Sequence, residues 1–210
     1  MIWSGEPIAE GLVSSLERPG RNATGIVPAK SAEAERLEML NLVAPGSAPI
    51  GVLYNSTYVP GAGVLRRARS AADSLGIQLN VVEAQSLPQM DSAFATFKRA
   101  GVRAVLINNH GLFRTGAARL AGLSLTYKLP MLSPYPEARD AGTLIASVPD
   151  FVFWSRRAAR YIDRILRGAN PAELPVEESV PQHFTINLKT AAKLNIAIPE
   201  EVMHRVEASR

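Results

Sequence analysis

Four short polar clusters stand where apolar runs end: Asn55-Ser56-Thr57, Gln85-Ser86, Asn108-Asn109-His110 and Ser133-Pro134-Tyr135. Amides and hydroxyls dominate them, and these groups donate and accept hydrogen bonds without carrying charge. The clusters hold no paired carboxylates and no nucleophile beside a base, so they are not equipped for acid-base or covalent catalysis. What they suit is recognition of a small polar molecule by neutral hydrogen bonds, with one aromatic contact. The expected ligand-binding set is Asn55, Ser56, Thr57, Ser86, Asn108, Asn109 and Tyr135.

Each of these residues has a second reading. Asn, Ser and Thr are favoured in turns and at helix starts, so Asn55, Ser56 and Thr57 fit a cap as well as a ligand contact. Asn108 and Asn109 are good turn formers, and Tyr135 can line a cleft or pack at an edge. His110 has no second His, Asp or Glu at ligand spacing, so it reads as a cap or surface residue rather than a metal ligand. His183 and His204 fall in an irregular tail and carry no functional reading. Gly61-x-Gly63 has Arg66 where a third glycine would stand, and it lacks a Walker lysine, so no phosphate loop is expected. No serine lies in G-x-S-x-G. Asn22-Ala23-Thr24 matches the glycosylation pattern and suits a turn. Neither a metal nor a cofactor is expected, and the chain reads as a non-enzyme.

The elements that must position the polar clusters alternate. "APIGVLYN", "IQLNVVEA", "RAVLINN" and "LPMLSPY" read as strands, the first as a buried parallel one. A helix after the Pro60-Gly61 turn carries Val64, Ala68, Ala71, Ala72 and Leu75, and Gly76 stops it. The second helix spans about 88–100, with Met90, Phe94 and Phe97 on one face, and the third spans about 112–127. Parallel strands need crossover connections, so this order predicts an α/β fold with a doubly wound parallel sheet and helices on both faces. Upstream, Ser31 can cap a helix bearing Leu37 and Leu40. Downstream, Val148 to Leu166 reads as the longest helix. Phe184 to Asn187 reads as a strand, with Asn187 capping a helix from Leu188.

The 210 residues fit one ordinary domain, or one lobe with parts of another, and an apolar share of 47% supplies a sizeable core. With no cysteine there are no disulfides, thiol nucleophiles or cysteine zinc sites. The formal charge of +4 permits acidic partners without demanding them. Arg156, Arg160, Arg164 and Arg167 recur at helical spacing opposite Phe151, Trp154, Ala158, Ile162 and Ile165, which reads as a solvated face. No nucleic-acid partner is expected. No apolar run reaches the roughly 18–20 residues of a membrane span, and no export signal precedes the first elements.

Glu6-Pro7 through Gly25 is similar to a pattern P-V-x-x-G-L-V-x-S-L-x-x-P-G-x-N-x-T-G, with Ile8 at the first valine. With it come Arg36-Leu37-Glu38, Gly51-Val52-Leu53-Tyr54-Asn55, the Gly76 stop, Asp91-Ser92-Ala93-Phe94 and Ile186-Asn187-Leu188-Lys189-Thr190-Ala191. In order and spacing, from about Gly5 to Val202, these resemble the ABC-transporter substrate-binding family with the type I periplasmic fold. The resemblance implies a Rossmann-like ligand-binding lobe over residues 26–142 and an incomplete second lobe. That second lobe would draw on residues 1–25, with the crossover, and on a return segment 143–175. A tail 176–210 would pack across both. Met1 then reads as an internal start, in a truncated member of the family.

Functionally, the resemblance implies a solute-binding component of an ABC-type importer. It would hold a small polar or amino-acid-like ligand in an interlobe cleft, with ABC permease subunits as partners. The location would be periplasmic by resemblance, and cytoplasmic if the chain is translated as written. Many members carry an Asp near the end of the third strand, where Asn108-Asn109 stand here, and the nearest acids are Glu83, Glu137 and Asp140. Ala146-Ser147-Val148 occupies the place of the family's S-Y-G. Two other readings stay open, a cytoplasmic ligand-sensing module built on the same lobe and a flavodoxin-like enzyme. The helix at 148–166 bears more apolar surface than the short Ile2-Trp3 run can cover, so self-association through the first-lobe remnants is expected.

Overall fold

The computed structural model describes residues 6–29, 31–57 and 59–207; Ile2-Trp3 lies outside them. The chain divides into two compact units. One comprises residues 1–32 and 149–182, the other residues 33–148 and 183–210.

The larger unit begins in helix α1 (Ala32–Val43) and alternates strand and helix: β2 (Ile50–Tyr54), α2 (Val59–Leu75), β3 (Leu79–Glu83), α3 (Leu87–Arg99) and β4 (Ala104–Ile107). Strand β1 (Ile26–Pro28) precedes α1 and belongs to the smaller unit. After β4 come α4 (Gly111–Thr115), α5 (Ala117–Tyr127), β5 (Met131–Ser133), α6 (Pro136–Asp140) and β6 (Ile145–Pro149). The expected parallel sheet forms. Strands pair in the order β3-β2-β4-β5-β6, every pairing parallel, and a later strand β8 (Gln182–Ile186) borders β6.

Both faces of that sheet are covered, as doubly wound strands require. On one face Leu37 and Leu40 of α1 and Ala72 of α2 join Val52, Leu106 and Leu132 in one core, with Phe184 of β8. Ala191 of α8 (Leu188–Leu194) and Val202 of α9 (Glu200–Glu207) complete it. On the other face Met90, Phe94 and Phe97 of α3 pack with Phe113 and Leu120 against Leu53, Val105 and Ile107. Gly51 is needed for this closeness. A Cβ there would lie 2.8 Å from the Phe97 ring.

Several boundaries differ from expectation. Pro60 and Gly61 lie in the first turn of α2, where a proline costs no helical hydrogen bond, so the turn comes earlier. The helix expected at 112–127 is two, α4 and α5, meeting at Gly116. Asp150 caps the late helix by accepting from the Phe153 amide at 2.8 Å, so α7 is Phe151–Leu166 rather than a helix from Val148. At 16 residues it is shorter than the 17-residue α2. Residues 145–149 form a sheet strand, and the compact units divide at 32/33, 148/149 and 182/183. Asn187 does cap α8, accepting from the Thr190 amide at 3.0 Å.

The smaller unit pairs β1 in parallel with β7 (Glu177–Val180). Ile26 and Val180 pack there with Ala158 and Tyr161 of α7 and with Leu174. The Tyr161 hydroxyl donates to the Pro175 carbonyl at 2.6 Å, and burial, then the Glu177 charge, push its pKa up to about 12. Among the described residues no helix is long and apolar enough to cross a membrane.

Candidate functional site

The crossover after β2 leads outward to β3, and the crossover after β3 returns past β2 to β4. Chain order therefore reverses between β2 and β4, and ligand crevices of open parallel sheets form outside the carboxyl ends at such a point. Asn55 follows β2 and Asn108 follows β4, so the two amides flank it.

The Asn55 side chain is 3% exposed and fully engaged. Its Nδ2 donates to the Ala84 carbonyl at 2.9 Å, and its Oδ1 accepts from the Thr57 amide at 2.9 Å and the Thr57 hydroxyl at 2.6 Å. This is an Asx turn that ties the end of β2 to the residue after β3. Asn108 Oδ1 accepts from the Asn109 amide at 2.7 Å, and its Nδ2 donates to the Gly61 carbonyl in the first turn of α2 at 3.5 Å.

His110 is the N-cap of α4. Its Nδ1 accepts from the Leu112 amide at 3.1 Å, which leaves the neutral ring's hydrogen on Nε2, 3.3 Å from the Thr57 hydroxyl oxygen. A chain of hydrogen bonds thus runs from His110 through Thr57 to Asn55, across the point of reversal. On the far side, Tyr135 is 8% exposed and its hydroxyl lies 2.7 Å from Asn109 Oδ1 and 2.8 Å from the His110 carbonyl, while the His110 amide donates to it.

On the near side Glu83, the last residue of β3, accepts from the Ser56 hydroxyl, from the Ser56 amide at 3.3 Å and from Gln85 Nε2 at 2.7 Å. The Ser56 and Gln85 hydrogen bonds hold its carboxyl below the usual carboxylate range. No cation pairs with it among the described residues. Glu137 differs, for its carboxyl is lowered by its ion pair with Arg114. Ser86 stands at the N-cap of α3, but its hydroxyl caps no amide and makes no hydrogen bond among the described residues.

The structure thus joins Asn55, Thr57, Tyr135 and Asn109 through His110, sets Ser56 with Glu83 and Gln85, leaves Ser86 apart, and ties Asn108 to Gly61 and Asn109. Sequence reasoning left Glu83, Gln85 and His110 out of the set. Glu83 carried a legible signal, an acid closing an apolar run. Among the described residues no group of three His, Cys, Asp or Glu could hold a metal ion. Hydrogen-bond donors around one ionised carboxylate can orient a small polar or cationic group; they supply no nucleophile.

A doubly wound parallel lobe with a hydrogen-bonding strand-end face is the architecture of periplasmic binding proteins. The chain belongs to the ABC transporter substrate binding protein family, whose model matches residues 1–209. A tyrosine-binding protein of Clostridioides difficile (strain R20291) is 20% identical over 191 residues, 91% of this chain. The chain spans 55% of that relative's length. The crystal structure of an ABC domain in complex with L-Trp from Streptococcus pneumoniae is 25% identical, with a TM-score of 0.81 over 95% of this chain and 68% of that one. The ligand-free, open structure of a Clostridium difficile substrate binding protein with adhesive properties shares the fold. Its TM-score is 0.72 at 19% identity, over 95% of this chain and 68% of that one.

Proposed function

We propose that this chain is the solute-binding component of an ABC-type importer and that its ligand carries an ammonium group, as an amino acid does. The strand ends of the larger unit supply the ligand-contacting wall of a cleft. Closure of the lobes presents a changed surface to the permease subunits, with no covalent chemistry. The observation that carries the ligand class is Glu83, a carboxylate at the strand ends with hydrogen-bond donors and no cation among the described residues. A desolvated ammonium needs an anionic partner, and Glu83 supplies one. The C. difficile relative named for tyrosine and the L-Trp complex point to the same ligand class. Membership of the family supports a periplasmic or extracellular location, and the exposed apolar residues Phe151, Val152, Ile162 and Leu166 of the smaller unit favour self-association.

Calorimetric titration with L-tyrosine, L-tryptophan and their N-acetyl derivatives tests this. The free amino acids bind and the N-acetyl forms, which lack the ammonium, do not. Equal binding of both forms, or of neither, overturns the ligand class. Esterase, phosphatase, phosphodiesterase and dehydrogenase substrates are expected to show no turnover.

A further inference from the structure

The two oxygens of the Glu83 carboxylate are used unequally. Oε1 accepts from the Ser56 hydroxyl, from the Ser56 amide at 3.3 Å and from Gln85 Nε2 at 2.7 Å. The second hydrogen on Gln85 Nε2 reaches the Ser56 hydroxyl oxygen, 3.2 Å away, which closes a ring of three side chains. The ring is anchored from α3. The main-chain amide of Gln85 donates to Oε1 of Gln89, in the first turn of that helix, at 2.6 Å. A carboxylate oxygen offers two lone pairs, so these donors fill Oε1. Oε2 has no hydrogen bond among the described residues.

We infer that Ser56 and Gln85 set the specificity of the proposed ammonium site. By closing Oε1 they make Glu83 a one-oxygen acceptor, which takes an ammonium and discriminates against a guanidinium. The inference rests on the reading that Glu83 meets the ligand. An ammonium is a compact point charge with rotatable donors, and one N–H on Oε2 suffices to engage it. A guanidinium binds a carboxylate best as a fork, with two parallel N–H donors on two oxygens. Here the fork loses one of its bonds or must displace Ser56 or Gln85 to keep it. Both residues act through Glu83, so they are positioning residues.

Calorimetric titration of the full chain with two derivatives of L-tryptophan tests this. One is the α-guanidino analogue, in which the amine is amidinated. The other is N-isopropyl-L-tryptophan, an ammonium of matching bulk. Wild type should bind the ammonium about tenfold more tightly than the guanidinium. In the double variant Ser56→Ala, Gln85→Leu that preference falls towards one, while Ser56→Thr, which keeps the hydroxyl, retains it. A purely structural role would weaken both derivatives equally. The acid limb of L-tryptophan binding gives a second readout. The Ser56 and Gln85 bonds, with no charged neighbour contributing among the described residues, hold the Glu83 carboxyl low. The double variant should therefore lose binding at a higher pH than wild type. If L-tryptophan and L-tyrosine both fail to bind wild type, the ammonium reading falls and this inference with it. If they bind, the inference alone is overturned by equal affinity for the two derivatives, by a preference that survives in the double variant, or by an unmoved acid limb.

Discussion

The Glu83 carboxylate accepts from both the hydroxyl and the amide of Ser56, 27 positions earlier in the chain. The pairing of β2 with β3 sets Tyr54 opposite Glu83, so the residue after Tyr54 but one meets the carboxylate at the sheet's carboxyl edge. A structural contact between neighbouring strands therefore fixes an acid at the carboxyl edge of the sheet.

Glu83→Gln should weaken an ammonium ligand about 10- to 100-fold, the range for a charged hydrogen bond, and calorimetry would show it. The pH dependence has a definite sign. The carboxyl is held below the ordinary glutamate value of 4.5, so wild-type binding is retained above that value and falls as pH drops through the depressed one. The stability contributed by the Ser56 and Gln85 contacts follows the same course. Affinity that is unchanged in the variant removes Glu83 from the site.

Asn55 should act on stability. Asn55→Ala strips partners from the buried Ala84 carbonyl and the Thr57 amide, at a cost of about 1–3 kcal/mol. Urea denaturation should show a lower midpoint with an unchanged slope. An unaltered midpoint would mean the Asx turn is dispensable.

Gly51→Ala should destabilise by about 1–3 kcal/mol, because its Cβ meets the wall of the Phe97 ring. Combining it with Phe97→Leu should cost less than the sum of the two single changes, since both act on one contact. Strict additivity in a double-mutant cycle would show that α3 and β2 yield independently.

Tyr161 should ionise late. Ultraviolet titration of the folded chain is expected to place one phenol near 12. Because its pKa is raised in the folded state, its contribution is fully present below about 10, the unfolded value, and is lost as pH rises through 12. Tyr161→Phe removes the late step and lowers stability by about 0.5–1.5 kcal/mol through the lost bond to Pro175. A titration with every tyrosine near 10 would contradict the burial of this hydroxyl.

Local pattern was enough to read much of this protein. The apolar runs that became β2, β3 and β4, the helices between them, the Gly76 stop with its φ of 65° and the Asn187 cap all depend on residues within a few positions of one another. Apolar alternation, a missing Cβ and a side chain bonding its own next turn are visible in a line of letters. So was the polar character of the strand ends.

Only the tertiary structure decided which strand borders which, and with that the site's contents. The sheet order puts β2 between β3 and β4, which brings Glu83 to Ser56 and His110 to Thr57 across 27 and 53 positions. Likewise β1 found its partner in β7, Ile26 opposite Glu177, through a register that no short window contains. Asn55 shows the limit most plainly. Its type suits a ligand and a turn equally, and the choice fell to the Ala84 carbonyl, a buried acceptor from another strand that had to be satisfied.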